Sequence, residues 1–254
     1  MRQWFVSLAV VFAAAGVAAA DEKAEAIVKK GIEAHGGADN LNKYPAAKFT
    51  IKGEVAVMGS DVEFNGDMAH VIPGKFKMNL NFEFMNMKFF MTQVLNGDKF
   101  KRTIKVGDNI VPAEDEDKDE IKMNSAEQAA LQLTPLLDAK AFTIRAADDE
   151  DVNGKKAAVV VATPKTIDRE IKLYFDKESG LLVKTGYKGL GPGGAGARAE
   201  VYKESYYSEF KKVNGIQVTT KLVQNHDGKK FLTATMSDYE VLEKIDDKEF
   251  SVED

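Results

Sequence analysis

The chain has 254 residues, 44% hydrophobic and 30% charged, which is the composition of a folded globular protein rather than a disordered or collagen-like one. Its net charge of −5, or −6 once residues 1–20 with their single Arg2 are removed, gives no overall field favouring nucleic acid or anionic lipid headgroups. With no cysteine present, disulfides, thiolate metal sites, cysteine nucleophiles and lipidation of an N-terminal cysteine are excluded together, and the length suffices for a core without such staples.

Arg2 precedes an apolar run from Trp4 to Val17, and Ala18-Ala19-Ala20 then stands ahead of the charged Asp21-Glu22-Lys23. This is the pattern of a secretory signal cleaved after Ala20, so the mature chain is expected in a bacterial-type periplasm or outside the cell, without stable membrane insertion. Residues 21–34 carry apolar positions at Ala24, Ile27, Val28, Ile32 and Ala34, the spacing of one amphipathic helix, which His35-Gly36-Gly37 ends.

From Ala47 the period changes to two. In residues 75–84 Phe76, Met78, Leu80, Phe82 and Phe84 alternate with Lys75, Lys77, Asn79, Asn81 and Glu83, so one strand face is apolar and the other wet. About eleven strands are predicted, at 48–57, 61–71, 75–84, 87–95, 99–106, 157–163, 169–175, 181–188, 201–210, 216–223 and 231–241. Turn signals separate them at Pro73-Gly74, Asn96-Gly97-Asp98, Gly107-Asp108-Asn109, Asn153-Gly154, Ser179-Gly180, Asn214-Gly215 and Asp227-Gly228. Helices and strands do not alternate, which argues against a doubly wound parallel sheet, and no linker divides residues 21–254, which are read as one domain.

The strands are interrupted between about 111 and 140. An acidic tract, 114–120, reads as a solvated loop; Ser125-Ala126-Glu127-Gln128 reads as a capping box opening a short helix that carries Leu131 and Leu133; and Thr134-Pro135 reads as the cap and first turn of a second one carrying Leu136 and Leu137. Two short apolar helices between strands of a curved sheet suggest either a lid over its concave face or a plug in its core, with Leu131, Leu133, Leu136 and Leu137 as contact residues.

This layout resembles the LolA-like superfamily of periplasmic lipoprotein and lipid carriers. The likeness rests on the N-terminal helix followed by His35-Gly36-Gly37-Ala38-Asp39-Asn40-Leu41, on the mid-chain helical insertion, and on three stretches of the closing half: Leu173-Tyr174-Phe175-Asp176-Lys177-Glu178-Ser179-Gly180-Leu181-Leu182-Val183, Tyr206-Tyr207-Ser208-Glu209-Phe210-Lys211-Lys212-Val213-Asn214-Gly215-Ile216 and Asp238-Tyr239-Glu240. The closing half is similar to outer-membrane lipoprotein-sorting relatives. The resemblance implies a mainly β fold, a single strongly curved antiparallel sheet forming an unclosed barrel, with helices covering a cavity that receives acyl chains. It also implies a donor or acceptor partner in the envelope. The family's lid-locking arginine has no counterpart that can be placed on Arg102, Arg145, Arg169 or Arg198, and the missing lipobox cysteine points to a shuttle rather than a membrane-anchored acceptor.

Independently of that likeness, Met58, Met68, Met78, Met85, Met87, Met91, Phe76, Phe82, Phe84, Phe89 and Phe90 crowd one short part of the chain, and methionine suits irregular or variable apolar surfaces. The expected ligand-binding residues are Phe76, Met78, Leu80, Phe82, Phe84, Met87, Phe89 and Met91; the competing reading makes them ordinary core.

Catalytic and metal signatures fail on context. Gly189-Leu190-Gly191-Pro192-Gly193-Gly194 matches a dinucleotide fingerprint, but strand pattern follows it where a helix is needed, so it reads as an inter-strand loop. Asp149-Glu150-Asp151-Val152-Asn153-Gly154 begins like a calcium loop, yet Val160 stands where the bidentate Glu belongs, and a hairpin turn fits better. His35, His70 and His226 lack metal spacing, no serine sits in a nucleophile elbow, and the acidic pairs lie in charge runs. No cofactor, metal or catalytic residue is expected. Two functions remain: a non-catalytic carrier that holds a lipid or a lipoprotein's acyl chains in an apolar concavity, or an envelope interaction module whose barrel is filled by its own side chains.

Overall fold

In the computed structural model, which describes residues 13–111, 117–191 and 198–252, the period-two segments pair into one antiparallel sheet. Among the described residues thirteen strands form two meanders. The first comprises β1 (Ala46–Val57), β2 (Ser60–Val71), β3 (Lys75–Phe84), β4 (Met87–Asn96), β5 (Lys99–Val106) and β6 (Asn109–Val111). The second comprises β7 (Phe142–Val152), β8 (Lys155–Pro164), β9 (Ile171–Asp176), β10 (Leu182–Leu190), β11 (Glu200–Val213), β12 (Ile216–His226) and β13 (Lys229–Leu242). They join where β1 pairs with β13, leaving β6 and β7 as the two free edges. The barrel is therefore not closed.

The α-helices lie against one face, whereas a C-terminal 3-10 turn (Asp247–Phe250) packs its buried Phe250 on Ala69 and Val94 of the other. α1 (Ala13–His35) begins upstream of the expected amphipathic stretch and ends as foreseen, with Gly36 and Gly37 at positive φ and the Gly37 N–H donating to the Ile32 carbonyl. A short α2 (Ala38–Lys43) follows. The expected signal peptide falls partly outside the described residues.

Three local expectations are corrected. The inserted helix, α3 (Lys118–Leu131), starts seven residues before Ser125, because the Asp117 carboxylate caps it by accepting from the Asp119 and Glu120 amides, and acidic side chains in a first turn are favoured by the helix dipole. Glu120, placed in a solvated loop by sequence, is buried on α3. Thr134 does not cap the following 3-10 turn (Thr134–Leu137); its hydroxyl donates instead to Asn42 Oδ1 at 2.8 Å.

Glycine lets the sheet curl. A Cβ on Gly53 would stand 1.9 Å from the Thr233 carbonyl oxygen, and one on Gly66 would stand 1.8 Å from that of Asn79, so β1 and β2 coil more tightly against their neighbours than any side chain permits. The two glycines belong to neighbouring strands and mark where the apolar face turns inward.

Candidate functional site

Register fixes which side chains share the inner face. Across β2, β3 and β4, Phe64, Phe82 and Phe89 stand opposite one another; so do Met68, Met78 and Gln93; Leu80 faces Met91 and Phe84 faces Met87. Because side chains alternate along a strand, all eight expected ligand-binding residues fall on this one face of two adjacent strands. The Phe82 and Phe89 rings stack with centroids 5.0 Å apart and an interplanar angle of 1°. None of the eight is fully buried: seven are half-buried and Met87 is 46% exposed. Leu80 and Phe82 pack on a small cluster built on Ile51, Phe64, Ala234 and Met236.

The same face of β8–β10, in the second meander, is covered. Val160, Ala162, Ile171, Leu173 and Tyr187 lie beneath α1 and α3, where Val28, Ile32, Met123 and Ala130 fill the space between helices and sheet. Of the four residues expected in a lid, Leu133 and Leu136 are fully buried in this cluster, Leu131 packs against it half-buried, and Leu137 is 36% exposed. The cluster contains no residue of β3, β4 or β5.

Between the covered and uncovered regions runs a polar belt that sequence reading missed. Glu120 and Glu127, two turns apart on α3, point at β10 and β11. Glu120 accepts from Arg169 Nη1 at 2.6 Å and Lys203 Nζ at 3.3 Å, while Glu127 accepts from the Thr185 hydroxyl at 3.0 Å, which in turn takes a hydrogen bond from the Tyr207 hydroxyl at 3.0 Å. Burial raises the pKa of Glu127 against the opposing pull of Thr185, Tyr187 and Lys203, and burial likewise raises those of Tyr187 and Tyr207. The seven-residue spacing of the two glutamates on the face bearing Met123, Ala126 and Ala130 was the available signal. The histidines are separate. His70 lies on the inner face of β2 opposite Phe76, and burial lowers its pKa to about 4; the His35 and His226 values are lowered by burial as well.

A groove of about 480 Å³ opens where α3 meets the Pro73-Gly74 and Gly97-Asp98 turns, lined by Ile121, Ala126, Ala129 and Phe142. These turns end β3 and β4 on the Phe76 side, so the groove sits at one end of the apolar row. A groove of about 800 Å³ lies on the opposite, wet face of the sheet and takes most of its lining from polar residues such as Lys52, Glu63, Asn81 and Glu83. Among the described residues no group of three or more His, Asp or Glu side chains is placed to hold a metal ion, and no helix is long and apolar enough to cross a membrane. The Asn153-Gly154 pair forms the β7–β8 turn, and the glycine-rich stretch begins inside β10, where Gly189 and Leu190 pair with Val201 and Glu200, with residues 192–197 outside the described ones.

No protein-family model matches this chain, and neither does any curated protein. Solved structures do match. A DUF1329 family protein from Desulfovibrio piger superposes with a TM-score of 0.52 at 13% identity, over 90% of this chain and 97% of that one. A domain named for outer membrane lipoprotein sorting, from Vibrio parahaemolyticus, gives 0.50 at 11% identity over 91% and 97%. A LolA superfamily protein from Nitrosomonas europaea gives 0.49 at 10% identity over 90% and 97%. At such identities the likeness is one of fold, and the fold is LolA-like.

Proposed function

We propose that this protein is a non-catalytic carrier of the cell envelope, exported by residues 1–20, that holds a lipid or the acyl chains of a lipoprotein against the inner face of β3 and β4. One observation carries the reading: eight apolar side chains share a face that no helix cluster fills, while the equivalent face of β8–β10 is packed beneath α1 and α3. From Phe76 to Phe84 the row runs about 27 Å at the rise of an antiparallel strand, the scale of a long extended acyl chain. Methionine and phenylalanine offer a smooth, adaptable surface that recognises methylene groups by area rather than by polar contacts. The groove beside α3 supplies a way in at the Phe76 end. The name of the lipoprotein-sorting neighbour is consistent with this class of ligand.

Uptake of a fluorescent fatty-acid probe tests the reading. Met78→Glu and Phe82→Glu place a charge on the inner face and should weaken uptake, whereas Asn79→Glu, on the wet face, should not. The thermal midpoint is followed in parallel to separate lost binding from unfolding. Equal loss at all three positions, or no uptake by the wild type, rejects the carrier and leaves an interaction module with a self-filled sheet.

A further inference from the structure

We propose that the hairpin end of the first meander is a docking edge for a lipid bilayer, engaged through Met58 and Met85. The β1–β2 and β3–β4 turns lie at the same end of the sheet, because successive turns of a meander alternate between ends. Each is a two-residue turn with both residues left-handed: Met58 at φ 50° with Gly59 at 83°, and Met85 at φ 52° with Asn86 at 61°. That geometry favours Asn, Asp or Gly in the first position and strains an ordinary side chain. The chain follows the preference at three other hairpins, with Asn153-Gly154, Asn214-Gly215 and Asp227-Gly228 in the same conformation. Only at this end does methionine take the strained place, and nothing in the fold asks for it: Met58 is 88% and Met85 71% exposed. A residue that breaks a local rule without a packing return marks a functional position.

The surroundings identify the partner. Of the seven large hydrophobic residues left exposed among the described ones, six lie within four residues of the turns at this end: Met58, Met85, Met87, Phe90, Ile110 and Val111. The seventh, Leu137, is in the 3-10 turn. Charges of both signs are interspersed here, with Lys230 on Asp61 at 3.3 Å and Lys88 in register with Glu83, so no basic surface waits for an acidic protein or anionic headgroups. Two projecting, unbranched, flexible apolar side chains without a complementary charge pattern suit a fluid apolar medium better than a shaped protein pocket. Phe84 and Met87 continue from the tips onto the inner face, so an acyl chain leaving the bilayer would meet apolar surface without a break.

Flotation with phosphatidylcholine vesicles tests the proposal on the full chain. The wild type should float with vesicles, and 0.5 M salt should not release it. Met58→Asn and Met85→Asn should each lower the bound-to-free ratio roughly tenfold, the change expected on withdrawing a methionine side chain from an apolar phase. Their thermal midpoints should hold or rise, because asparagine suits the turn. Wild type that stays unbound, binding that appears only with anionic lipid at low salt, or a double variant that floats like the wild type overturns the proposal. Fatty-acid probe uptake by the double variant reads the inner face separately, so the carrier reading and the docking edge can fail independently.

Discussion

The two meanders use one kind of face in two ways. On β8–β10 the inner face carries Val160, Ala162, Ile171 and Leu173, small and β-branched or compact, and two helices seal it until almost nothing is exposed. On β3 and β4 the same face carries phenylalanine and methionine and has no helix-borne cluster over it. The polar belt of Glu120, Glu127, Arg169 and Lys203 sits at the divide and pins α3 to the covered side. Packing is thus densest beneath α1 and α3, and β3 and β4 are left with half-buried apolar surface.

Substitutions should expose that division. Leu133→Ala, which empties a fully buried site, should cost roughly 2–5 kcal/mol in denaturant unfolding, and Glu120→Ala, which strands two cations near the belt, should cost about 3 kcal/mol. Met78→Ala on the uncovered face should cost less than about 1 kcal/mol, since little packing is lost there. A large loss at Met78 would mean that the first meander is core after all. Between these extremes stands Gly66→Ala, for which about 2 kcal/mol is expected because its new methyl would meet the Asn79 carbonyl; an unchanged midpoint would show that the curl does not depend on glycine.

Acid should weaken the uncovered half through His70. Its pKa is depressed to about 4, so its contribution to stability is complete above the ordinary value of 6.5 and is lost as pH falls toward 4. The loss should be roughly 3 kcal/mol over that window, and His70→Phe should flatten the profile. Glu127 acts with the opposite sign. Its pKa is raised by burial, so its contribution is complete below the ordinary value and is lost as pH rises through the raised one, and Glu127→Gln should remove that slope. A smaller effect concerns motion: with Leu133 and Leu136 buried and Glu120 doubly paired, amides across 125–139 should exchange about as slowly as the strands. Fast exchange that slows on adding fatty acid would instead identify a lid.

Sequence made the repeated parts legible. Alternation in 75–84 placed Phe76 to Phe84 on one face because a strand's period is a local property, and the Asn-Gly and Asp-Gly pairs located hairpins because φ demands them locally. What it hid depended on distance or on broken rules. The burial of Glu120 comes from Arg169 and Lys203, 49 and 83 residues away, so an acidic tract gave no hint of it. β7 was not foreseen because its second half, Ala147–Val152 in sequence, is acidic and bulged, with the register slipping between Ala147 and Glu150. The tips at Met58 and Met85 carry no turn signature at their first residue, and the capping box at Ser125 lies inside α3 because Asp117 caps it earlier.

The division of labour between the two faces is tested most directly by where an acyl chain comes to rest. Photolysis of a diazirine-bearing fatty acid bound to the protein, followed by peptide mapping, should place adducts within residues 75–96, on Phe76, Met78, Phe82, Phe89 or their inner-face neighbours. Adducts confined to α1, α3 or β8–β10, or spread over the protein without preference, would contradict the assignment of the uncovered face as the binding surface.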